Sequence, residues 1–322
     1  MKKLFFLLLA IPIASYFISC SDNGSQKKGS AKKGFIDSSN SICDGFDNSD
    51  LCISVGGIAN FIIPSKQAQI MIGHFDTVYR QDDEYKPISA FDPTYWIDSA
   101  TIFKIEQFLQ SKTKTGDLIY DGIRIYLACE VNPDENNYHN EMYQNKTTIF
   151  IFPTTKRSFP TVTSQSTHMD SLVKIPGTNS PYVQENDNAS PKIKAFTEFY
   201  RKHNIPRSGE WKDSLSKSIW IDQCVISSVA KLLRLKKANL DGVNITMAAY
   251  NDNMYYSINK PENLGLLYPN QSTLLIVPTN LDHGKHVPNW DIIDCLYQKL
   301  INKKEFFPSA LNHGELCPQL CN

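Results

Sequence analysis

The C-terminal tail, residues 281–322, holds the densest group of reactive side chains in this sequence. Two imidazoles and two thiolates can form a tetrahedral zinc site. Outside the cytoplasm, paired cysteines more often form disulfides, and the tight Cys-x-x-Cys spacing of a zinc knuckle is absent here. We therefore favour a Cys317–Cys321 bridge, or a bridge from either cysteine to another, over zinc binding. The candidate metal ligands are His283, His286, His313, Cys317 and Cys321.

Other cysteines are distributed along the chain. Cys43 and Cys52 lie nine residues apart in an irregular polar stretch and are a second candidate disulfide. Of the eight cysteines, one belongs to the signal sequence described below, so seven remain and at least one is unpaired or pairs between chains. Cys129 in a strand pattern, and Cys224 and Cys295 in helical patterns, are predicted to be small buried hydrophobic residues.

One strand carries a candidate ligand-binding face. Arg124 and Tyr126 alternate with Ile123 and Ile125, so they share one side of the predicted strand. A planar guanidinium suits a carboxylate or phosphate ligand. The competing interpretation, which we favour, is a solvent-facing strand surface or an arginine paired with a nearby acid.

Motifs of known enzyme classes are missing. The sequence contains no G-x-S-x-G elbow, H-E-x-x-H helix, Walker loop or G-x-G-x-x-G loop. These tests do not detect a catalytic group assembled from distant residues. Trp96 and Trp220 occupy equivalent places in a duplication described below, which favours a packing role for each over a binding role.

The first residues predict export and membrane anchoring. Lys2 and Lys3 precede an apolar run that is too short to span a membrane. The run ends in Phe-Ile-Ser-Cys20, which resembles the lipobox of bacterial lipoproteins and implies cleavage before a lipidated Cys20. The alternative is an ordinary signal peptide with an incidental cysteine. We assign residues 1–19 to a lipoprotein signal peptide and residues 20–64 to a flexible tether and N-terminal extension.

Location and partners follow from the anchor and the charge. Ser21 after the cysteine favours the outer membrane over the inner, by analogy with known lipoproteins, and leaves open whether the protein faces the periplasm or the exterior. With 33 basic and 33 acidic residues, the chain has no basic bias that would indicate nucleic-acid binding. The expected partners are the membrane, through the lipid, and a protein or small molecule of unknown identity.

The elements that position these residues come from an internal duplication. Three landmarks recur in the same order 124, 120 and 125 residues later: Trp96 and Trp220, the Asp-Gly pairs at 121 and 241, and the Pro-Thr pairs at 153 and 278. The repeats are assigned to residues 65–156 and 190–280. Residues 157–189 are assigned to a linker, and residues 281–322 to a tail that the first repeat lacks.

Each repeat is predicted to have the order α-β-α-β-β. Ser65 starts the first helix, and Ser190 followed by Pro191 starts its counterpart. Asp98 and Asp222 suit the N-caps of the second helices. The Asp-Gly turns open alternating strands with one buried face, and a proline ends the last strand of each antiparallel pair. The fold class is therefore α+β, a tandem duplication with antiparallel strand pairs.

A resemblance supports the module. The Gly-Ile-Arg-Ile-Tyr strand at 122–126, the Phe-Pro-Thr strand end at 152–154 and the Asn-His-Gly-x-Leu-Cys-Pro-x-x-Cys tail at 312–321 resemble uncharacterised Bacteroidota hypothetical proteins. The resemblance implies a bacterial lineage and carries over no catalytic residue.

The sequence thus predicts a membrane-anchored envelope lipoprotein whose repeats form a non-enzymatic protein- or ligand-binding module. The alternative is a metal-dependent or thiol-based enzyme centred on the His/Cys tail. Apart from zinc in that alternative, no cofactor is expected.

Overall fold

The structure is a computed structural model. The described residues are 42, 45–46, 62–79, 93–112, 116, 119–129, 147–156, 168–171, 173–178, 180–183, 186–197, 216–250 and 271–302. The predicted signal peptide and nearly all of the tether lie outside them. Residues 40–322 form one compact unit.

The helices and strands follow the predicted order, with additions. The helices are α1 (Ser65–Tyr79), α2 (Ser99–Leu109), α3 (Asn186–Ala195), α4 (Gln223–Leu233) and α5 (Trp290–Asn302). The strands are β1 (Thr94–Asp98), β2 (Gly122–Cys129), β3 (Thr147–Lys156), β4 (His168–Asp170), β5 (Ser218–Asp222), β6 (Gly242–Ala249), β7 (Ser272–Asp282) and β8 (Lys285–Pro288).

Two antiparallel four-stranded sheets form, and each takes one strand from the other repeat. The orders are β1-β6-β7-β8 and β4-β3-β2-β5. Strand β1 of the first repeat pairs with β6, from Thr94 opposite Thr246 to Asp98 opposite Gly242. In the same way β5 of the second repeat pairs with β2. The α+β class and the antiparallel pairs β2–β3 and β6–β7 are as predicted.

The first helix of each repeat packs on the same sheet that its exchanged strand joins. Helix α1 packs on β6, and α3 packs on β2. Met71 of α1 is fully buried beside Ala248, whereas Ala189 of α3 is fully buried beside Phe150 and Phe152. The two repeats are therefore interlocked, because each one completes the sheet and covers the outer sheet face of the other.

A single core joins the two sheets. It contains the inward side chains of β2 and β6 together with the apolar faces of α2 and α4. Ile123, Ile125 and Leu127 are at most 2% exposed. The residues on the other face of β2 and β6 are mostly buried as well. The prediction that only one face of each of these strands is buried is therefore wrong. The exchanged helices α1 and α3 cover that second face.

Several boundaries differ from the prediction. Strands β3 and β7 continue past Pro153 and Pro278, because β4 and β8 pair with the residues that follow each proline, so the predicted strand ends are wrong. Helix α3 begins at Asn186, so Pro191 lies inside it; burial of Ala189 against the sheet extends the helix before the proline. Strand β4 lies in the segment taken for a linker, and β8 lies in the tail. The tail therefore does have a counterpart in the first repeat, because β8 pairs with β7 as β4 pairs with β3.

The length and apolar character of a helix decide whether it could cross a membrane. In the part of the chain that the structure describes, no helix has the length and apolar character needed to cross a membrane.

Candidate functional site

The glycine of each Asp-Gly turn makes room for a tryptophan. A Cβ atom on Gly122 would lie 2.3 Å from the carbonyl oxygen of Ile221 and 2.8 Å from Nε1 of Trp220. Gly242 has the same relation to Trp96, again at 2.8 Å from Nε1. Only glycine lets the indole approach the backbone this closely, which explains why Asp-Gly recurs with the tryptophan in both repeats.

Each indole closes a ring of four polar side chains. In the first quartet, Trp220 Nε1 donates to Thr154 Oγ1 at 2.9 Å, and Thr154 donates to Asp121 Oδ1 at 2.6 Å. The second oxygen of Asp121 lies 2.8 Å from Nδ1 of His168. The imidazole then stacks on the same indole, with ring centroids 3.6 Å apart and planes inclined by 13°.

The second quartet has the same geometry. Trp96 Nε1 donates to Thr279 Oγ1 at 3.2 Å, and Thr279 donates to Asp241 at 2.6 Å. Asp241 lies 2.5 Å from Nδ1 of His286, and the imidazole stacks on Trp96 at 3.5 Å. Both quartets are composite, because the tryptophan comes from one repeat and the other three residues come from the other.

The quartets fix the chemistry of their histidines. A carboxylate at Nδ1 orients the ring and places a hydrogen on that nitrogen. The side chain of His168 is 13% exposed and that of His286 is 34% exposed. Each imidazole is held by its carboxylate and by its stack on the indole, which also locks the edge strands β4 and β8 in place.

A cleft of about 550 Å³ lies beside the first quartet. It is open to solvent and is lined by the end of β3, the turn before β2 and the first turns of α4. The residues with polar or charged side chains in its wall include Tyr120, Asp121, Lys156, Asp222, Gln223 and Ser227.

Asp222, in the wall of the cleft, has a pKa shifted from its ordinary value. It is the N-cap of α4, and its side chain accepts a hydrogen bond from the backbone N–H of Cys224 at 2.7 Å. Burial raises the pKa of Asp222, and the nearby charge of Asp121 raises it further, against the lowering effect of that hydrogen bond. The carboxylate of Asp222 therefore lies where negative charge is poorly solvated.

The second repeat provides an internal comparison. The duplication places Asp98 at the position of Asp222, Phe103 at that of Ser227 and Leu281 at that of Lys156. Phe103 packs against the shared core, with the guanidinium of Arg234 4.5 Å from its ring centroid. The two acids recur in both places, as Asp121 with Asp222 and as Asp241 with Asp98. The cleft therefore differs from its counterpart at Lys156 and Ser227, which are replaced there by Leu281 and Phe103.

No family model, curated protein or solved structure matches this chain. The quartets and the cleft are the grounds for the proposals below. Sequence reasoning missed His168 and took the recurring Trp, Asp-Gly and Pro-Thr residues for scaffold alone. A signal for His168 was present in the sequence, because His286 follows it by 118 residues, close to the offsets of the other landmarks.

Arg124 and Tyr126 lie behind the first quartet. Arg124 is 6% exposed and donates to Asp170 and to the backbone carbonyl of His168, both at 2.9 Å. Tyr126 donates to the other oxygen of Asp170. An acid partner of this kind is what the sequence analysis favoured over a ligand. Burial, followed by the charge of Asp170, raises the pKa of Tyr126 to about 12.

The candidate metal ligands are only partly described. His283 is 94% exposed and lies 2.6 Å from its neighbour Asp282, while His286 belongs to the second quartet. Among the described residues, no group of three or more His, Cys, Asp or Glu could hold a metal ion. Outside the described residues lie His313, Cys317, Cys321, Cys43, Cys52 and Cys20.

The remaining cysteines divide into two kinds. Cys129 is a thiol that is 1% exposed, as predicted. Cys224 and Cys295 are disulfide-bonded, so their prediction as small buried hydrophobic residues is wrong. Both are only partly buried near helix surfaces, where a sulfur can reach another segment. For Cys224 the disulfide fixes one wall of the cleft.

Proposed function

We propose that this protein is a membrane-anchored envelope lipoprotein whose folded unit is a non-enzymatic binding module, with its ligand site in the cleft between β3 of the first repeat and α4 of the second. The observation that carries the binding proposal is the difference between this cleft and its duplicated counterpart. Lys156 and Ser227 line the cleft, whereas the equivalent residues Leu281 and Phe103 are apolar. A scaffold alone gives no reason for that difference.

The walls of the cleft suit binding because they are held from behind. Asp121 is fixed by Thr154 and His168, and the side-chain amide of Gln223 donates to the carbonyl of Leu109 at 3.0 Å. A site whose polar groups are already positioned loses less conformational entropy when a ligand binds.

The hydrogen bonding of the quartet favours a non-enzymatic role. In a nucleophilic hydroxyl site, the hydroxyl donates to the imidazole. Here Thr154 donates to Asp121 instead and accepts from Trp220, while the imidazole of His168 also points its Nδ1 at Asp121. The threonine is therefore arranged as a structural link.

A ligand-independent screen tests the binding site. Protein-observed NMR with a mixed set of sugars, amino acids, organic acids and aromatic fragments is expected to shift the amide signals of Gln223 and Ser227 more than those of Ser99 and Phe103. Ser227→Phe, which introduces the residue found at the equivalent position Phe103 of the first repeat, should remove these shifts. Fragments that perturb both repeats equally, or that ignore Ser227→Phe, would contradict the proposal.

The anchor rests on the lipobox at Cys20. Metabolic labelling with an alkyne analogue of palmitate is expected to label the wild-type protein and to fail with Cys20→Ser, which should also leave the membrane fraction. Retention of the label in Cys20→Ser would refute lipidation at that cysteine.

The alternative enzyme proposal concerns the tail. It needs His313, Cys317 and Cys321 in addition to His286, whose Nδ1 already faces Asp241. Metal analysis of protein purified without a histidine tag separates the two proposals. Stoichiometric zinc that is lost in His313→Ala and Cys317→Ser would favour the enzyme, whereas Cys317 found in a disulfide by mass spectrometry would exclude the metal site.

A further inference from the structure

We propose that the cleft binds a small zwitterion, whose ammonium group lies against Asp121 and Asp222 and whose carboxylate lies toward Lys156. This inference rests on the proposed function and names the ligand class of the same site. It combines three features of the cleft: its pair of carboxylates, its opposite charge at the rim and its volume.

The carboxylates provide the cation subsite. Asp121 accepts one hydrogen bond on each oxygen, and Asp222 accepts one from the N–H of Cys224. A carboxylate has about four acceptor positions, so both retain capacity for a donor from the ligand. A primary ammonium offers three N–H donors and a full positive charge, which offsets the repulsion between the two acids.

Lys156 provides the anion subsite. It is the last residue of β3, is exposed, and lines the same cleft as Asp121 and Asp222. At the equivalent position in β7, Leu281 is 58% exposed and carries no charge. A lysine in the same wall as two acids selects a ligand with both charges, because a plain amine leaves the lysine without a partner and repels it.

The volume sets the size of the ligand. A cleft of about 550 Å³ falls within the roughly 300–1,000 Å³ of small-molecule sites, so a molecule with several carbons between its charged groups fits. Ser227 and Tyr120 add hydroxyl groups to the wall, and these suit polar substituents between the two ends.

The test uses ω-amino acids of increasing length, from glycine to 6-aminohexanoate, with the intact folded protein. Binding is measured by calorimetry and by the amide shifts of Gln223 and Ser227. The best member of the series is then compared with the amine and the acid of the same chain length. We expect each of these to bind at least about tenfold more weakly, the loss typical of one charge-assisted hydrogen bond.

Matched variants assign the two ends. Asp222→Asn, which keeps a side chain suited to the N-cap, should weaken the zwitterion and the amine but not the acid. Lys156→Leu should weaken the zwitterion and the acid but not the amine. Asp98→Asn, at the equivalent position of the first repeat, is the control and should change none of them.

Three outcomes would count against the inference. An amine that binds as tightly as the amino acid would overturn the anion subsite. If no amino acid binds while other fragments still occupy the cleft, the ligand class is wrong and the proposed function stands. If nothing perturbs the cleft, both the ligand class and the proposed function fail.

Discussion

At the scale of single residues, the glycine of each Asp-Gly turn determines whether the tryptophan can reach its threonine. Gly122→Ala would place a methyl group 2.3 Å from a backbone oxygen, so the strand or the indole must move. We expect a loss of roughly 1–3 kcal/mol in the free energy of unfolding, as for other overpacked sites, measured by urea denaturation.

A matched glycine makes this prediction specific. Gly73 lies within helix α1, and a Cβ atom there would have nothing within 4 Å. Gly73→Ala should therefore stabilise the protein by about 0.5–1 kcal/mol, the usual gain in helix propensity. Equal effects at the two positions would show that close packing of the indole is not what requires Gly122.

Asp222 predicts a pH dependence of stability. Its pKa is raised in the folded state by burial and by Asp121. Its favourable contribution is therefore present below the pKa of the unfolded chain and is lost as the pH rises through the folded value. Asp222→Asn should be at least as stable as the wild type at pH 7, and the difference should shrink toward pH 3.

Unfolding curves at several pH values measure that difference, with Asp98→Asn as the control because Asp98 is an N-cap of the same type. A variant that is most destabilised at pH 7 would mean that the charged carboxylate helps the fold, contrary to our account.

At the scale of secondary-structure elements, a buried network ties β4 to β2. Tyr126 has a pKa of about 12, against an ordinary value of 10.0. The folded protein thus keeps the phenol proton after the unfolded chain has released it, so stability falls as the pH rises from about 10 to about 12. Burial also raises the pKa of Tyr297, so ultraviolet titration should show late phenolate formation from more than one tyrosine, and Tyr126→Phe should reduce it by one. An unchanged amount of late phenolate in Tyr126→Phe would place the effect elsewhere.

Local patterns in the sequence correctly predicted the N-caps of α2 and α4, but they placed the start of α3 at Ser190 and the ends of β3 and β7 at Pro153 and Pro278, which lie inside those elements. The side chain of Asp98 accepts from the N–H of Thr101 at 2.9 Å, and Asp222 caps α4 in the same way. These features depend on neighbouring residues, so spacing reveals them. The short strand β4 was missed because three residues give no measurable alternation, and its pairing comes from β3.

The sequence could not predict which strands pair with each other, and the reason is different. The patterns of β1 and β5 are nearly the same, so nothing local states which sheet each one joins. The exchange is decided by the shared core and the quartets, which are long-range contacts. The candidate site was missed for the same cause, since Trp220 and His168 meet only after β5 has crossed to β2.

At the scale of the whole molecule, the exchange makes the two repeats depend on each other. Cleavage at a protease site inserted among residues 201–215 would cut the chain between β5 and the other strands of its sheet. The pairing of β5 with β2 would still hold the two pieces together. Under native conditions with reductant, the two cleaved fragments should elute together from a size-exclusion column, because α1 and β1 remain on the second fragment's sheet. Fragments that separate without denaturant would contradict the interlocked fold.

The proposed lipid anchor at Cys20 and the cleft belong to different parts of the same chain. Under that proposal the predicted tether, residues 20–64, holds the folded unit near the membrane, while residues of both repeats form the cleft. This arrangement places function in the difference between two copies of one fold, at Lys156 and Ser227, rather than in the residues that the copies share.

The most direct test of that central claim is the amide-shift map of the folded protein in the fragment screen, recorded for the wild type and for Ser227→Phe. Our account predicts shifts at Gln223 and Ser227 in the wild type, none at the equivalent Ser99 and Phe103, and none at Gln223 in the variant. Shifts of equal size in both repeats, or shifts at Gln223 that persist in Ser227→Phe, would contradict it.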